Sequence, residues 1–134
     1  MTIVILGIIA VVAIPRFLDN KAFQARGFAD QVQASLRYAQ KVAIAQHRFA
    51  CVAFTVNSIS LSTGTTVACG TPMASLSNTG NYVISAPAGI NFTAATSFSF
   101  NALGSPSPSG AQTITISGAS NAIIIEAETG YVHQ

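Results

Sequence analysis

Residues 1–17 read MTIVILGIIAVVAIPRF, and the first fourteen of them carry no charge. A membrane-spanning helix needs about 20 apolar residues, so this stretch alone is too short to cross a bilayer. Pro15 removes a backbone hydrogen-bond donor and crowds the preceding turn, which predicts a kink. A cleaved signal peptide would need a basic region before the apolar run, and a core helix of a soluble protein would leave the extreme apolarity unexplained. The segment is therefore interpreted as part of a longer helix that lies in lipid or against other helices.

A second helical segment follows directly, over residues 17–47. Its apolar residues recur at alternating spacings of four and three, which places them on one face of a helix. Alanine dominates this face, so a packing partner can approach closely. Gly27 weakens the helix locally, by about 1 kcal/mol relative to alanine. We call this face the helix seam, and it comprises Leu18, Ala22, Ala25, Ala29, Val32, Leu36, Ala39 and Ala43.

After Gln46 the pattern changes to an alternation of apolar and polar residues. Short runs of this kind, separated by Gly, Pro, Asn and Ser clusters, are typical of antiparallel strands joined by turns. In the run at 49–57 the alternation predicts that Val52, Phe54 and Val56 share one face. Gly64 predicts a hairpin between the runs at 58–63 and 65–69. The other predicted strands cover 82–86, 90–94, 98–103, 113–118 and 122–128, with a short terminal strand inside 128–134.

Charge is distributed unevenly along the chain. All six Lys and Arg residues lie between Arg16 and Arg48, and from Phe49 onward the only charged side chains are Glu126 and Glu128. The C-terminal part therefore has no basic surface that could neutralise phosphates, which argues against nucleic-acid binding. The charged fraction is 7%, against about 25% in typical soluble domains. We therefore expect part of the chain to lie in lipid or under other protein.

Cys51 and Cys69 are the only cysteines, and no second pair suggests a metal site. They bracket a turn rich in Gly, Thr and Ser, which favours one disulfide and an oxidising compartment. Closure of that loop would contribute about 3 kcal/mol in the chain-entropy treatment. Two buried free thiols are the alternative.

The titratable residues do not form a recognisable catalytic or metal-binding motif. His47 and His133 have no evident nucleophile or acid partner in sequence, and no nucleophile elbow is present. Glu126 and Glu128 are two apart on a predicted strand and would share a face. Calcium takes six to eight oxygen ligands, so two carboxylates are too few, and they are better interpreted as solvated side chains. We therefore expect no enzyme activity, no metal, no cofactor and no small-molecule substrate.

The order of these features resembles one family. ILGIIAVVAIPRF, at 5–17, resembles the N-terminal segment of type IV pilins and pseudopilins, including the proline that follows the apolar run. FADQVQASLRYAQKVAIAQ (28–46), FSFNALGSPS (98–107) and EAETGYV (126–132) are similar to minor pilins and pseudopilins of the FimT/GspH type, and most like minor subunits of mannose-sensitive haemagglutinin (MSHA) pili. The resemblance implies an α+β fold, with a long N-terminal helix kinked near Pro15 followed by an antiparallel β-sheet or β-sandwich head.

The resemblance also implies three regions. Residues 1–16 would form the transmembrane or filament-core half of the helix, 17–48 an amphipathic half packed on the head, and 49–134 a periplasmic or extracellular β-rich head. Family members begin upstream with a basic leader, a processing site and a glutamate, so the N-terminus of this chain is expected to be truncated. The residues expected to mediate membrane insertion and helix assembly are Ile3, Val4, Ile5, Leu6, Gly7, Ile8, Ile9, Val11, Val12, Ile14 and Pro15.

The function implied by the resemblance is that of a structural subunit, a minor pilin or pseudopilin of a type IV pilus or a type II secretion pseudopilus. Its partners would be other pilin subunits, in a homo- or hetero-oligomeric filament or tip complex. It would sit in the bacterial inner membrane by a single pass, with the head in the periplasm, before it enters the filament. The alternatives are a major self-polymerising pilin, a pilus-tip adhesin and a DNA-uptake minor pilin.

Overall fold

The computed structural model of the protein describes residues 3–5, 20–75 and 80–134. The long helix α1 spans Asn20–Gln46. It ends because His47 adopts a left-handed conformation, with φ of 52°. The amide of His47 then donates to the carbonyl of Ile44 and that of Arg48 to the carbonyl of Ala43, which are the two bonds of a Schellman cap. Pro15 and its predicted kink lie outside the described residues.

Ten short strands follow the helix in the described part of the chain, which confirms the predicted helix-then-sheet order. The alternation of β2 shows why these segments are extended, since Ile59, Leu61 and Thr63 are buried and the residues between them are partly exposed. The strands are β1 (Phe49–Phe54), β2 (Ser58–Gly64), β3 (Thr71–Pro72), β4 (Val83–Ser85), β5 (Phe92–Ala94), β6 (Phe98–Phe100), β7 (Pro106–Ser107), β8 (Gln112–Ile116), β9 (Ile123–Ile125) and β10 (Val132–His133).

These strands form two antiparallel sheets. The larger has the order β3-β2-β1-β6-β7, and β4 also pairs with β2. The smaller has the order β10-β9-β8-β5. Strands β1 and β2 form the central hairpin, in which Phe49 is opposite Gly64 and Phe54 is opposite Ile59. The α+β fold with an antiparallel head is therefore confirmed.

The core lies between α1 and the inner faces of both sheets. Leu36 and Val32 of the helix are fully buried, as are Ile59 and Phe100 of the large sheet and Ile125 of the small one. Aromatic contacts join the two sheets to the helix. The rings of Phe28 and Phe92 are 5.4 Å apart, those of Phe54 and Phe92 are 5.1 Å apart, and those of Tyr38 and Tyr82 are 5.6 Å apart and stacked.

Two local predictions were wrong. Residues 65–69 form no strand and no hairpin with 58–63, because Cys69 is bonded back to Cys51 on β1 and the chain folds over the end of β2. The hairpin partner of β2 is β1 instead. Val56 does not continue the buried face of Val52, since β1 ends at Phe54 and Val56 lies in the following turn with 70% of its surface exposed.

Candidate functional site

The apolar N-terminal residues that the structure describes are helical and exposed. Ile3, Val4 and Ile5 have 82%, 64% and 57% of their surface exposed. Within the ranges 3–5, 20–75 and 80–134, no helix is both long and apolar enough to cross a membrane. The remaining predicted assembly residues lie outside the described residues, namely Leu6, Gly7, Ile8, Ile9, Val11, Val12, Ile14 and Pro15.

The helix seam is buried over most of its length. Ala22 differs from this pattern, since it is exposed at the edge of a surface notch. Leu18 lies outside the described residues. The other six seam residues, each at most 3% exposed, are Ala25, Ala29, Val32, Leu36, Ala39 and Ala43.

Two polar side chains of α1 attach its C-terminal half to the head. Gln40 Nε2 donates to the carbonyl oxygens of Gly104 and Thr129, each at 3.0 Å. Arg37 donates to the carbonyl oxygen of Val132 through Nε at 3.3 Å and through Nη2 at 3.0 Å. Because Val132 lies in β10, at the edge of the small sheet, Arg37 satisfies an edge-strand acceptor that would otherwise be open to another chain.

The two turns that Gln40 contacts are pressed together. A Cβ added to Gly130 would overlap the carbonyl oxygen of Gly104 and lie 2.7 Å from Gln40 Nε2. Gly130 also has φ of 69°, in the left-handed region that favours glycine. A Cβ on Gly104 would lie 2.8 Å from Cδ1 of Ile44. This junction therefore depends on glycine at both positions.

Leu103 lies at the tip of the first of these turns and is 85% exposed. The carboxamide oxygen of Asn101 accepts hydrogen bonds from the amides of Leu103 at 2.9 Å and Ser105 at 3.1 Å. Ser105 Oγ donates to the carbonyl oxygen of Glu128 at 3.0 Å, which joins this turn to the next one. The structure thus presents a large apolar side chain on a well-ordered turn.

A notch of about 280 Å³ lies at the other end of α1. It is lined by Ala22, Phe23, Arg26, Gly118 and Ser120. Phe23 is 73% exposed beside it. The turn that carries Gly118 approaches the helix closely, because a Cβ at that position would be 3.2 Å from Cβ of Ala25.

Cys51 and Cys69 form the predicted disulfide, with Cα atoms 6.1 Å apart. The bridge ties the exposed 65–70 segment to β1. Val67, in this segment, is 60% exposed. The alternative of two free thiols is excluded.

The carboxylates are not arranged as predicted. Strand β9 ends at Ile125, so Glu126 and Glu128 lie in the turn before β10 and do not share a strand face. Glu126 Oε1 instead contacts His133 Nε2 at 2.7 Å, an ion pair when the histidine is protonated. The ring of His133 stacks on Tyr131. Among the described residues, no group of three or more His, Cys, Asp or Glu side chains could hold a metal ion.

The fold defines the class of protein that this chain resembles in three dimensions. A long helix packed on an antiparallel head is the pilin fold, and the structure superposes on a type IV minor pilin, FimU of Pseudomonas aeruginosa strain PAO1, with a TM-score of 0.59 at 18% identity. That match covers 81% of this chain and 86% of FimU. A second crystal form of FimU gives a TM-score of 0.57 at 17% identity, with 81% and 90% covered. No protein-family model matches the sequence, and no curated protein is significantly similar to it.

Three features of the surface were not found from the sequence. The Glu126–His133 pair could have been suspected, because a turn joins two strands that place these residues near each other. The exposure of Leu103 and the contacts of Gln40 carry no sequence signal, since both depend on how separate turns meet the helix.

Proposed function

We propose that the protein is a structural subunit of a type IV pilus or a related secretion pseudopilus, and that it is a minor subunit of the FimT/GspH type, most like those of MSHA pili. The observation that carries the proposal is the fold, which matches a type IV minor pilin over 81% of this chain. The apolar segment 1–14 supports it, because such a segment needs lipid or other helices around it.

In this proposal the chain has three parts with different surroundings. Residues 1–16 lie in the inner membrane before assembly and among the helices of other subunits afterwards. Residues 17–48 connect this part to the head and pack on it, and residues 49–134 form the head outside the membrane. Extraction from lipid costs about 25 cal/mol per Å² of apolar surface, which packing against sister helices recovers. Gly7 allows close helix approach there.

The composition of the head also bears on the alternatives. From Phe49 to the C-terminus there is no Lys or Arg, so the head lacks the cations that a DNA-uptake subunit would use for phosphates. No catalytic set supports an enzyme, and the fold is that of a structural protein. Major pilin and tip adhesin are separated from minor subunit by experiment.

The test uses the bacterium that encodes the chain. A tagged copy replaces the native gene, surface fibres are sheared and purified, and the tag is counted by immunogold labelling. A minor subunit is expected at a few copies per fibre. Label along the whole fibre would identify a major pilin, and intact fibres with lost attachment after deletion would identify an adhesin. If the protein is absent from fibres and the deletion changes neither fibres nor secretion, the proposal is wrong.

A matched pair of variants tests the role of the N-terminal helix. Val4→Asp places a charge in the apolar segment and is expected to abolish incorporation. Val56→Asp places the same charge on an exposed turn of the head, where Val56 is 70% exposed, and is expected to leave incorporation unchanged. Equal incorporation of both variants contradicts assembly through the N-terminal helix.

A further inference from the structure

The exposed Leu103 and the notch at Arg26 lie on the same side of α1 at opposite ends of the head. Gly104, next to Leu103, packs against Ile44, and the notch includes Arg26. These two helix residues are eighteen positions apart. At 3.6 residues per turn this is five full turns, so both face the same direction, about 27 Å apart along the axis.

The two features are complementary in shape. Leu103 protrudes and is 85% exposed, and its turn is already ordered by the two hydrogen bonds to Asn101. Little conformational entropy is therefore lost when this turn docks. The notch has apolar walls in Ala22 and Phe23 and a volume of about 280 Å³, enough to receive a leucine side chain.

The charges next to them are also complementary. Glu128 lies on the turn bonded to the Leu103 turn through Ser105. Arg26 lines the notch. Within the described parts of the chain, neither of them belongs to an ion pair. Asp30, one helical turn beyond Arg26, accepts a hydrogen bond from Gln134 at 3.5 Å.

We propose that Leu103 of one copy docks in the notch of a second copy, where Glu128 of the first copy pairs with Arg26 of the second. The two surfaces are different patches of the same chain, so the contact is head-to-tail. Such a contact does not close on itself after one step and adds copies in a row along the helix axis. The inference rests on the proposed filament role, because a contact this small is expected to form only when the apolar segments already hold copies side by side.

The test is cysteine cross-linking of the full chain in phosphatidylcholine vesicles. Leu103→Cys and Ser120→Cys are combined in one chain, and the bonded pair is identified by mass spectrometry after mild oxidation. Because the two positions lie at opposite ends of the head, a bond between them must join two copies. The matched control combines Val83→Cys with Ser120→Cys, since Val83 is an exposed head residue at 53%. We expect the Leu103 pair to cross-link at least about five times faster than the control.

Charge reversal tests the ion pair. Arg26→Glu in the Leu103/Ser120 background is expected to slow cross-linking about fivefold, and Glu128→Arg in the same chain is expected to restore it. Lys41→Glu, on an exposed part of the helix outside the notch, is the control and is expected to have no effect. Cross-linking equal to the Val83 control, or no rescue by the double reversal, overturns the inference.

The same variants separate this inference from the proposed function. If the protein enters fibres but the Leu103 and Ser120 cysteines do not cross-link there, the docking contact is wrong and the filament role stands. If cross-linking in vesicles is specific but the protein is absent from fibres and pseudopili, the filament role is wrong and the head-to-tail contact stands as a property of the chain.

Discussion

Gly130→Ala is expected to be among the most damaging single-methyl substitutions on the surface of this protein. Gly130 has φ of 69°, and alanine in that left-handed region costs about 1 kcal/mol. The added Cβ would also overlap the carbonyl oxygen of Gly104. The two turns must therefore separate, and Gln40 cannot keep its hydrogen bonds to both of them.

The magnitude follows from these contacts. Loss of the two Gln40 hydrogen bonds costs about 1 kcal/mol each. Together with the backbone strain, the free energy of unfolding should fall by about 3 kcal/mol. For a domain of this size, each 1 kcal/mol corresponds to a melting temperature change of about 4 °C, so the variant should melt about 12 °C lower.

Gly27→Ala is the matched control, because it adds the same methyl group to an exposed glycine. Nothing lies within 4 Å of a Cβ at Gly27, and the residue is inside α1. Helix propensity predicts a gain of about 1 kcal/mol, or a melting temperature about 4 °C higher. Both variants are melted as full chains in mild detergent, with circular dichroism and tyrosine fluorescence as readouts. If Gly130→Ala costs less than about 1 kcal/mol, the close contact between the two turns is refuted.

Removal of the Cys51–Cys69 bridge by a double serine substitution is expected to lower the free energy of unfolding by about 3 kcal/mol, because the bridge spans 18 positions. Reduction of the wild-type chain should do the same, and an unchanged melting temperature contradicts the prediction. Arg37→Ala should cost about 1 kcal/mol through loss of its bonds to the β10 carbonyl, whereas Lys41→Ala should change stability by less than about 0.5 kcal/mol in urea titrations. Burial, and then the neighbouring tyrosine, raise the pKa of Tyr82 above its usual 10.0. The folded state therefore holds that proton to higher pH than the unfolded chain, so stability is complete below pH 10.0 and falls as the pH rises from there through the folded pKa. Melting at about pH 8 and about pH 11 should show a smaller loss for Tyr82→Phe than for wild type.

The helix and the order of strands could be predicted because their signals are local and repeated. The seam from Ala25 to Ala43 follows the helical period over several turns, and β2 alternates along its full length. A periodic pattern of this kind reports directly which face is buried. The disulfide was also accessible, because only two cysteines are present.

The turns could not be predicted in the same way. Gly64 reads as a hairpin glycine, but the position of Cys69 is set by its bond to Cys51, which local pattern does not encode. β7 lies in a stretch rich in Pro and Ser that carries no strand signal. Glu126 looked like a strand residue because the apolar run before it is long, yet β9 ends at Ile125 and the chain turns back to β10. Each of these errors arises where a tertiary contact overrides the local preference.

The small residues of the helix seam have a consequence beyond core packing. Since Ala25, Ala39 and Ala43 add little bulk between α1 and the sheets, turns of the head can reach the helix surface itself. At one end the Gly118 turn meets Ala25, and at the other the Gly104 turn meets Ile44. A larger side chain at either end of the seam would push the nearby turn outward and alter the notch or the position of Leu103. The seam therefore determines both the stability of the head and the spacing of the two surfaces through which we propose that copies meet.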